Sequence, residues 1–164
     1  MGVIQACAAL DQICLTPMEA DDLHTIAHLG RHREIFQHVP QIPQPFDAHA
    51  WCSKAIDNGE NYVRHIVRVG PARVPVGYVQ ICRRNNCDLE LGYWLGKDYW
   101  GNGIGFAAAG AALVLFVTAG GQPKIFAATT PDNVASRRIL TKLGFKETNL
   151  SEPPEGMIDH MWEP

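Results

Sequence analysis

Between Asn61 and Gly96 the chain alternates. NYVRHIVRV (61–69) interleaves Tyr62, His65, Val67 and Val69 with Val63, Arg64, Ile66 and Arg68; VPVGYVQICRR (74–84) follows, and CDLELGYWLG (87–96) closes the set. A period near two predicts strands, and the short connections, with Asn85-Asn86 before the last strand, predict an antiparallel meander. Upstream the period differs. Residues 12–16 (QICLT) predict a short strand, and MEADDLHTIAHL (18–29) predicts a helix with acids in its first turn and Met18, Leu23, Ile26 and Leu29 on one side. QHVPQIPQPFD (37–47) is broken by Pro40, Pro43 and Pro45 and must be a loop; Asp47 then caps a helix through AHAWCSKAIDNG that stops at Gly59.

Downstream the alternation gives way to WGNGIGFAAAGAALVLF (100–116), in which glycines at alternate positions lead into an alanine-rich helix over about 103–119. KIFAATT (124–130) predicts a strand, Asn133 to Leu143 a helix ended by Gly144, FKETNL (145–150) another strand, and MIDHMWEP a final one. Antiparallel strands, then one strand–helix–strand unit, then a second helix describe a mixed α/β fold of the α+β type. The 164 residues fit one domain spanning 1–164.

A net charge of −3 and 19% charged residues point away from a nucleic-acid or membrane-surface binder. Gly101 to Gly121 is uncharged but too rich in Gly and Ala for a membrane span, so a buried helix is expected. MGVIQACAALD has no basic leader region, so no signal peptide is expected, and Ala6 breaks a myristoylation pattern. Five scattered cysteines without a CxxC fit reduced thiols in a cytoplasmic protein. His24, His28 and His32 would share a helical face if the first helix ran that far, but no HExxH-like motif or partner ligand supports a metal site.

The glycines raise the chemical question. A glycine-rich turn before a helix exposes backbone N–H groups at the positive end of the helix dipole, which suits a phosphate; it equally suits a tight loop that only lets the helix pack closely. Gly103, Gly105 and Ala108 satisfy G-x-G-x-x-A, with Asp132 placed as a ribose-binding acid would be, but a dinucleotide site needs a strand ending at the first glycine, and GKDYW intervenes after Leu95.

LELGYWLGKDYWGNGIG, followed at a helix-plus-strand distance by TTPDNVASRRILTKLGF, resembles the GNAT superfamily of N-acetyltransferases, and more narrowly the branch of the RimJ and RimL ribosomal-protein N-terminal acetyltransferases. The resemblance is strongest over 88–147. It implies a single GNAT-like domain: a mostly antiparallel central sheet with a splayed parallel strand pair and helices on both faces. It implies an acetyl-CoA-binding core at about 88–147, acceptor-side elements at about 18–59, and acetyl transfer from acetyl-CoA to a primary amine, either a peptide N-terminus or a small amine. No metal is called for, and a homodimer is common in the branch.

Residue by residue, the resemblance gives Gly101, Asn102, Gly103, Ile104 and Gly105 to the pyrophosphate, with Trp100 where the family pattern has Gln or Arg. Backbone groups of Tyr93, Trp94 and Leu95 would hold the pantetheine arm and polarise the acetyl carbonyl, with Gly92 as a bulge or close-approach position, and Asn133 would bind near the arm; Asn133 also suits a plain helix cap. The tyrosine that many members carry seven residues after that Asn is here Leu140, which leaves Ser136 as the acid in the RimL-like pattern. Glu90 is the base candidate, or else an exposed strand carboxylate. Leu140 also keeps open a non-catalytic domain that binds acetyl-CoA as a sensor. The acidic tail, with Glu152, Glu155, Asp159 and Glu163, would either attract a cationic acceptor or simply be solvated.

Overall fold

The computed structural model describes residues 13–39, 42–57, 61–84, 88–121, 124–150 and 153–163. Seven strands form one sheet: β1 (Ile13–Pro17), β2 (Asn61–Val69), β3 (Val74–Arg83), β4 (Leu89–Leu95), β5 (Ile125–Thr129), β6 (Lys146–Thr148) and β7 (Ile158–Trp162). Their spatial order is β1-β2-β3-β4-β5-β7-β6. Every neighbouring pair is antiparallel except β4 and β5, which are parallel. The meander is therefore as expected, while the Asn85-Asn86 turn and the Gly59 helix stop lie outside the described residues.

The uneven alternation of β2 has a structural cause. Asn61 faces Cys82 while Val63 faces Ile81, so one extra residue enters β2, and a second slip between Val67 and Arg68 compensates in β3. Between the two bulges the register is unbroken, and plain alternation sends Val63 and Val67 to one side of the sheet and Ile66 to the other.

Helices α1 (Leu23–Leu29) and α2 (Ala48–Asp57) cover one face, and α3 (Ile104–Thr118) and α4 (Val134–Lys142) the other. The first helix is shorter than its periodicity predicts. A capping box between Glu19 and Asp22 starts a single 3-10 turn, and α1 proper ends at Gly30. Met18 precedes the helix yet packs in the same cluster as Leu23, Ile26 and Leu29. Because α1 stops at Leu29, His32 lies beyond it and the three histidines do not form a helical stripe.

The α3 side holds the larger core, with Val67, Val79, Ile81, Ala109, Ala112, Phe116, Ile125 and Leu140 essentially inaccessible. Alanines at 107–109 and 112 let α3 lie close against the sheet without a polar face, which is why its sequence looks like a membrane span. Among the described residues no helix is long and apolar enough to cross a membrane.

One buried ion pair ties the sheet together across its weakest join. Arg84, just past β3, reaches over β4 and grips Asp159 of β7 with Nη1 at 2.8 and 3.0 Å from the two carboxylate oxygens. The Asp159 side chain is 0% exposed. Breaking one side of a buried pair leaves the other charge desolvated. Asp159→Asn should therefore cost roughly 3 kcal/mol, the low end for such pairs because Glu90 stays beside the guanidinium. Urea unfolding monitored by tryptophan fluorescence measures it.

Candidate active site

β4 and β5 share only two register pairs, Leu89 with Ile125 and Glu90 with Phe126. Beyond them β5 turns to β7 while β4 stays with β3, so a wedge opens between two parallel strands. A cavity of about 380 Å³ occupies it, lined by both strands, the start of α4, and the loop and tail segments above.

The ladder decides which backbone groups face that wedge. Gly96 N–H donates to the Val76 carbonyl at 2.8 Å, and Arg84 N–H to that of Asp88 at 2.9 Å. Hydrogen-bonded pairs alternate in an antiparallel ladder, so Glu90, Gly92 and Trp94 exchange bonds with β3. Leu91, Tyr93 and Leu95 turn their N–H and C=O groups the other way; the Leu91 N–H is taken up by the pairing at Phe126, and the rest face the wedge. The arm-holding set expected as Tyr93, Trp94 and Leu95 is thus revised in position. The backbone of Trp94 is committed to Tyr78, and Leu91 takes its place beside the opening. The Leu95 carbonyl already accepts the Trp100 indole N–H at 2.9 Å. Gly92 is not a bulge, since the register from Gly77 to Arg83 runs unbroken.

The glycine turn stands at the outer end of β4. A 3-10 turn, Lys97–Tyr99, separates the strand from Trp100, and Gly103 caps α3 at φ +76°, with Gly101 at +77°. A Cβ on either would meet no atom within 4 Å, so these two glycines serve a left-handed turn open to solvent and not close packing. Gly105 is different. A Cβ there would sit 3.2 Å from Ile139 Cδ1, so its bareness seats α3 against α4. Ala107 N–H is the first to bond back into the helix, to Gly103 O at 3.1 Å, which leaves the N–H groups of Ile104, Gly105 and Phe106 as the unpaired first turn. Asn102 Nδ2 bonds the Trp100 carbonyl at 3.1 Å and steadies the turn.

Asn133 caps α4: its Oδ1 accepts the Ser136 N–H at 3.1 Å. Ser136 Oγ in turn lies 2.8 Å from the Tyr93 hydroxyl. Tyr93 was assigned from sequence for its backbone alone; the strand period that aims Glu90 at one face sends the Tyr93 ring to the other, into α4. Burial pushes this phenol up to about 12, with the Ser136 hydrogen bond opposing. Leu140, one turn further along α4, is 1% exposed and lines the same cavity.

On the opposite face of β4, Glu90 Oε2 sits 3.3 Å from Arg84 Nε. Burial raises its pKa above the usual 4.5, Arg84 opposes, and Asp159 adds to the rise. Glu90 and Ser136 line one cavity from the two sides of the wedge. The acidic tail dissolves as a feature. Asp159 is the buried partner of Arg84, and Glu163 lies 3.7 Å from Lys124. His38, from the proline-rich loop, was missed by the sequence. Its Nδ1 is 2.8 Å from Thr130 Oγ1 and 3.5 Å from Asp132, which fastens the loop over the cavity mouth. Asp132 is spent on that clasp, and the sheet around the glycine turn is not a parallel βαβ series, so the dinucleotide reading fails. Among the described residues no cluster of His, Cys, Asp or Glu is arranged to hold a metal ion.

The family model for the acetyltransferase (GNAT) domain matches residues 12–146. The chain belongs to the GNAT acetyltransferase family. Its fold is that of solved GNAT structures. An acetyltransferase from Agrobacterium tumefaciens superposes with a TM-score of 0.79 at 15% identity, covering 100% of this chain and 95% of that one. Spermidine N-acetyltransferase from Vibrio cholerae, solved with CoA and spermine, gives 0.74 at 18%, covering 92% and 94%. Mycobacterium smegmatis RimJ, solved with CoA-disulfide, gives 0.74 at 20%, covering 91% and 80%. No curated protein matches the chain in sequence.

The α4 cap also has a measurable effect on stability. Asn133→Ala should lower stability by about 1 kcal/mol, while Asn133→Asp, which keeps an accepting oxygen, should restore most of it. Thermal unfolding followed by circular dichroism reads the difference.

Proposed function

We propose that this protein transfers the acetyl group of acetyl-CoA to a primary amine by direct attack within one ternary complex. The observation that carries the reading is the convergence on one cavity of the open wedge, the Tyr93–Ser136 hydroxyl pair and Glu90, with the glycine turn at the wedge's outer end. In this reading, the N–H groups of Gly101 to Gly105 receive the pyrophosphate, and the wedge-facing groups of Leu91, Tyr93 and Leu95 bind the pantetheine arm as an added strand. Asn133 works by holding Ser136 at the mouth of that strand.

The chemistry asks for two proton transfers. Glu90, directly or through water, takes a proton from the acceptor ammonium. The amine nitrogen then attacks the thioester carbon, and a wedge-facing N–H of β4 stabilises the oxyanion. As the carbon–sulfur bond breaks, Ser136 donates to the thiolate while Tyr93 donates to Ser136; the second proton of the attacking nitrogen passes through water to restore Tyr93, and the proton on Glu90 goes to solvent, giving the amide and free CoA thiol. A phenol held near 12 stays protonated throughout the working range, so the pair always has a hydrogen to offer.

The sensor alternative rests on Leu140. The Tyr93–Ser136 pair weakens it, because a hydroxyl pair stands one turn away. The resemblance to RimJ and RimL supports a peptide N-terminus among the acceptors. Cysteines 14, 52 and 82, all free, fit a reducing cytoplasm.

Calorimetric titration with acetyl-CoA and assay of released thiol test the reading together. Gly103→Asn, tolerated in a left-handed turn, should bind acetyl-CoA nearly as wild type, and Gly103→Asp at least about tenfold more weakly through charge repulsion. Binding that ignores the aspartate, or no thiol released with any amine, would overturn it. A base works only when ionised, and Glu90 ionises above the usual carboxylate range. The acid limb of kcat/KM should therefore fall above pH 4.5. Glu90→Gln should lower kcat by roughly 100-fold and abolish that limb. A pH–rate profile of both proteins decides it.

A further inference from the structure

The acceptor side of the cavity has a character of its own. Its floor is aromatic: Trp51 of α2 meets Tyr78 of β3 edge to face at 4.6 Å and Trp94 of β4 at 5.9 Å. Phe36 and Phe46 brace Trp94 from behind, at centroid distances of 5.4 and 6.3 Å. Rings packed edge to face in this way hold an apolar wall fixed before any ligand arrives. Val39 and Ile42 from the proline-rich loop, with Met157 from the segment before β7, line the same cavity and are apolar too.

Charge is present but already balanced. Glu90 and Asp159 are the carboxylates on this face, and Arg84 contacts both. Arg64, opposite Gln80 on the next strand, adds a second cation to the same face. The exposed Asp132 is engaged by His38. Among the described residues that line the cavity there is no surplus of negative charge to receive several ammonium groups, and each one beyond the reacting nitrogen would lose its water against apolar walls.

One donor is left over. Trp94 is 7% exposed, and its Nε1–H is buried without a hydrogen-bond partner. An unpaired buried donor is costly, and a ligand carbonyl or hydroxyl oxygen is the partner such a position suits.

We propose that the acceptor is a primary amine carrying one positive charge, an aromatic apolar body that packs against the wall formed by Trp51, Tyr78 and Trp94, and an oxygen that accepts from Trp94 Nε1. This rests on the acetyltransferase reading and narrows it, setting the pocket apart from one built for a polyamine. The same chemistry exists in a free aromatic amine and in an aromatic residue at a peptide N-terminus.

Thiol release at saturating acetyl-CoA, with phenylalaninamide, phenethylamine, alaninamide, spermine and a tripeptide beginning with phenylalanine, tests the proposal. Phenylalaninamide should exceed alaninamide and spermine in kcat/KM by about tenfold or more, as loss of a filled apolar subsite costs. The tripeptide exceeding phenylalaninamide assigns the source to peptide N-termini, and the reverse assigns it to a free amine; either order supports the pocket chemistry. Trp51→Ala should raise KM for the aromatic acceptors about tenfold with acetyl-CoA binding unchanged by calorimetry, which also reports that the variant is folded. Trp94→Phe keeps a ring and removes the donor, so the advantage of phenylalaninamide over phenethylamine should shrink toward one. Preference for spermine, or equal rates with alaninamide, overturns this proposal while leaving the acetyltransferase intact. Absence of turnover with every amine overturns both.

Discussion

The structure depends on a join that is deliberately short. Buried backbone N–H and C=O groups must find partners, and a parallel strand pair normally supplies them along its whole length. Here β4 and β5 pair at Leu89–Ile125 and Glu90–Phe126 and then part. The Leu91 carbonyl and the Tyr93 groups that a longer β5 pairing would have satisfied instead face a cavity, where an extended chain of amides would complete the ladder. The need for a ligand of that kind is built into the backbone before any side chain is considered.

A sheet split at its centre needs closing by other means, and the means divide by face. On one side α3 lies across β1 to β4 and meets α4, which packs on β5, so a continuous apolar core spans the split. On the other side the span is ionic. Arg84 extends from the end of β3 past Glu90 to Asp159 on β7. The same guanidinium therefore holds the halves together and sets the electrostatics of Glu90. Burial raises the Glu90 pKa, and the arginine keeps it from rising without limit. If Glu90 is the proposed base, stability and reactivity are coupled at this residue.

Most of the architecture was legible because its elements obey simple periods and caps. Asn133, Gly144 and the glycine turn marked the ends of α3 and α4 to within a residue. The family's motif spacing located the wedge. What escaped was long-range pairing. Arg84 drew no reading beyond its strand end, Asp159 lay in an acidic tail that could attract a cation or be solvated, and Asp132 entered only through a disfavoured dinucleotide pattern. Each proved to be one end of a contact spanning dozens of residues in sequence, and no local pattern encodes such a partner. The glycines were half legible. Sequence could not separate turn from packing, whereas φ angles and free space assign Gly101 and Gly103 to the turn and Gly105 to packing.

Leu140 is the point at which a missing residue turns into an argument. Read alone, it removes an acid from the helix. In three dimensions position 140 belongs to the core, at 1% exposure, where a hydroxyl would be buried among apolar neighbours. The phenol has not left the site; it approaches from the strand. Tyr93 points from β4 into the first turn of α4 and meets Ser136, whose own N–H fixes Asn133. The three groups form one chain of hydrogen bonds, strand phenol to helix hydroxyl, with the cap holding the helix end in place. A serine alone is too weak an acid to release a proton readily. In the proposed mechanism the phenol would back it, donating as the serine donates, so that the cost of partial charge falls on the stronger acid. The proposal thus moves the proton source from the helix to the strand.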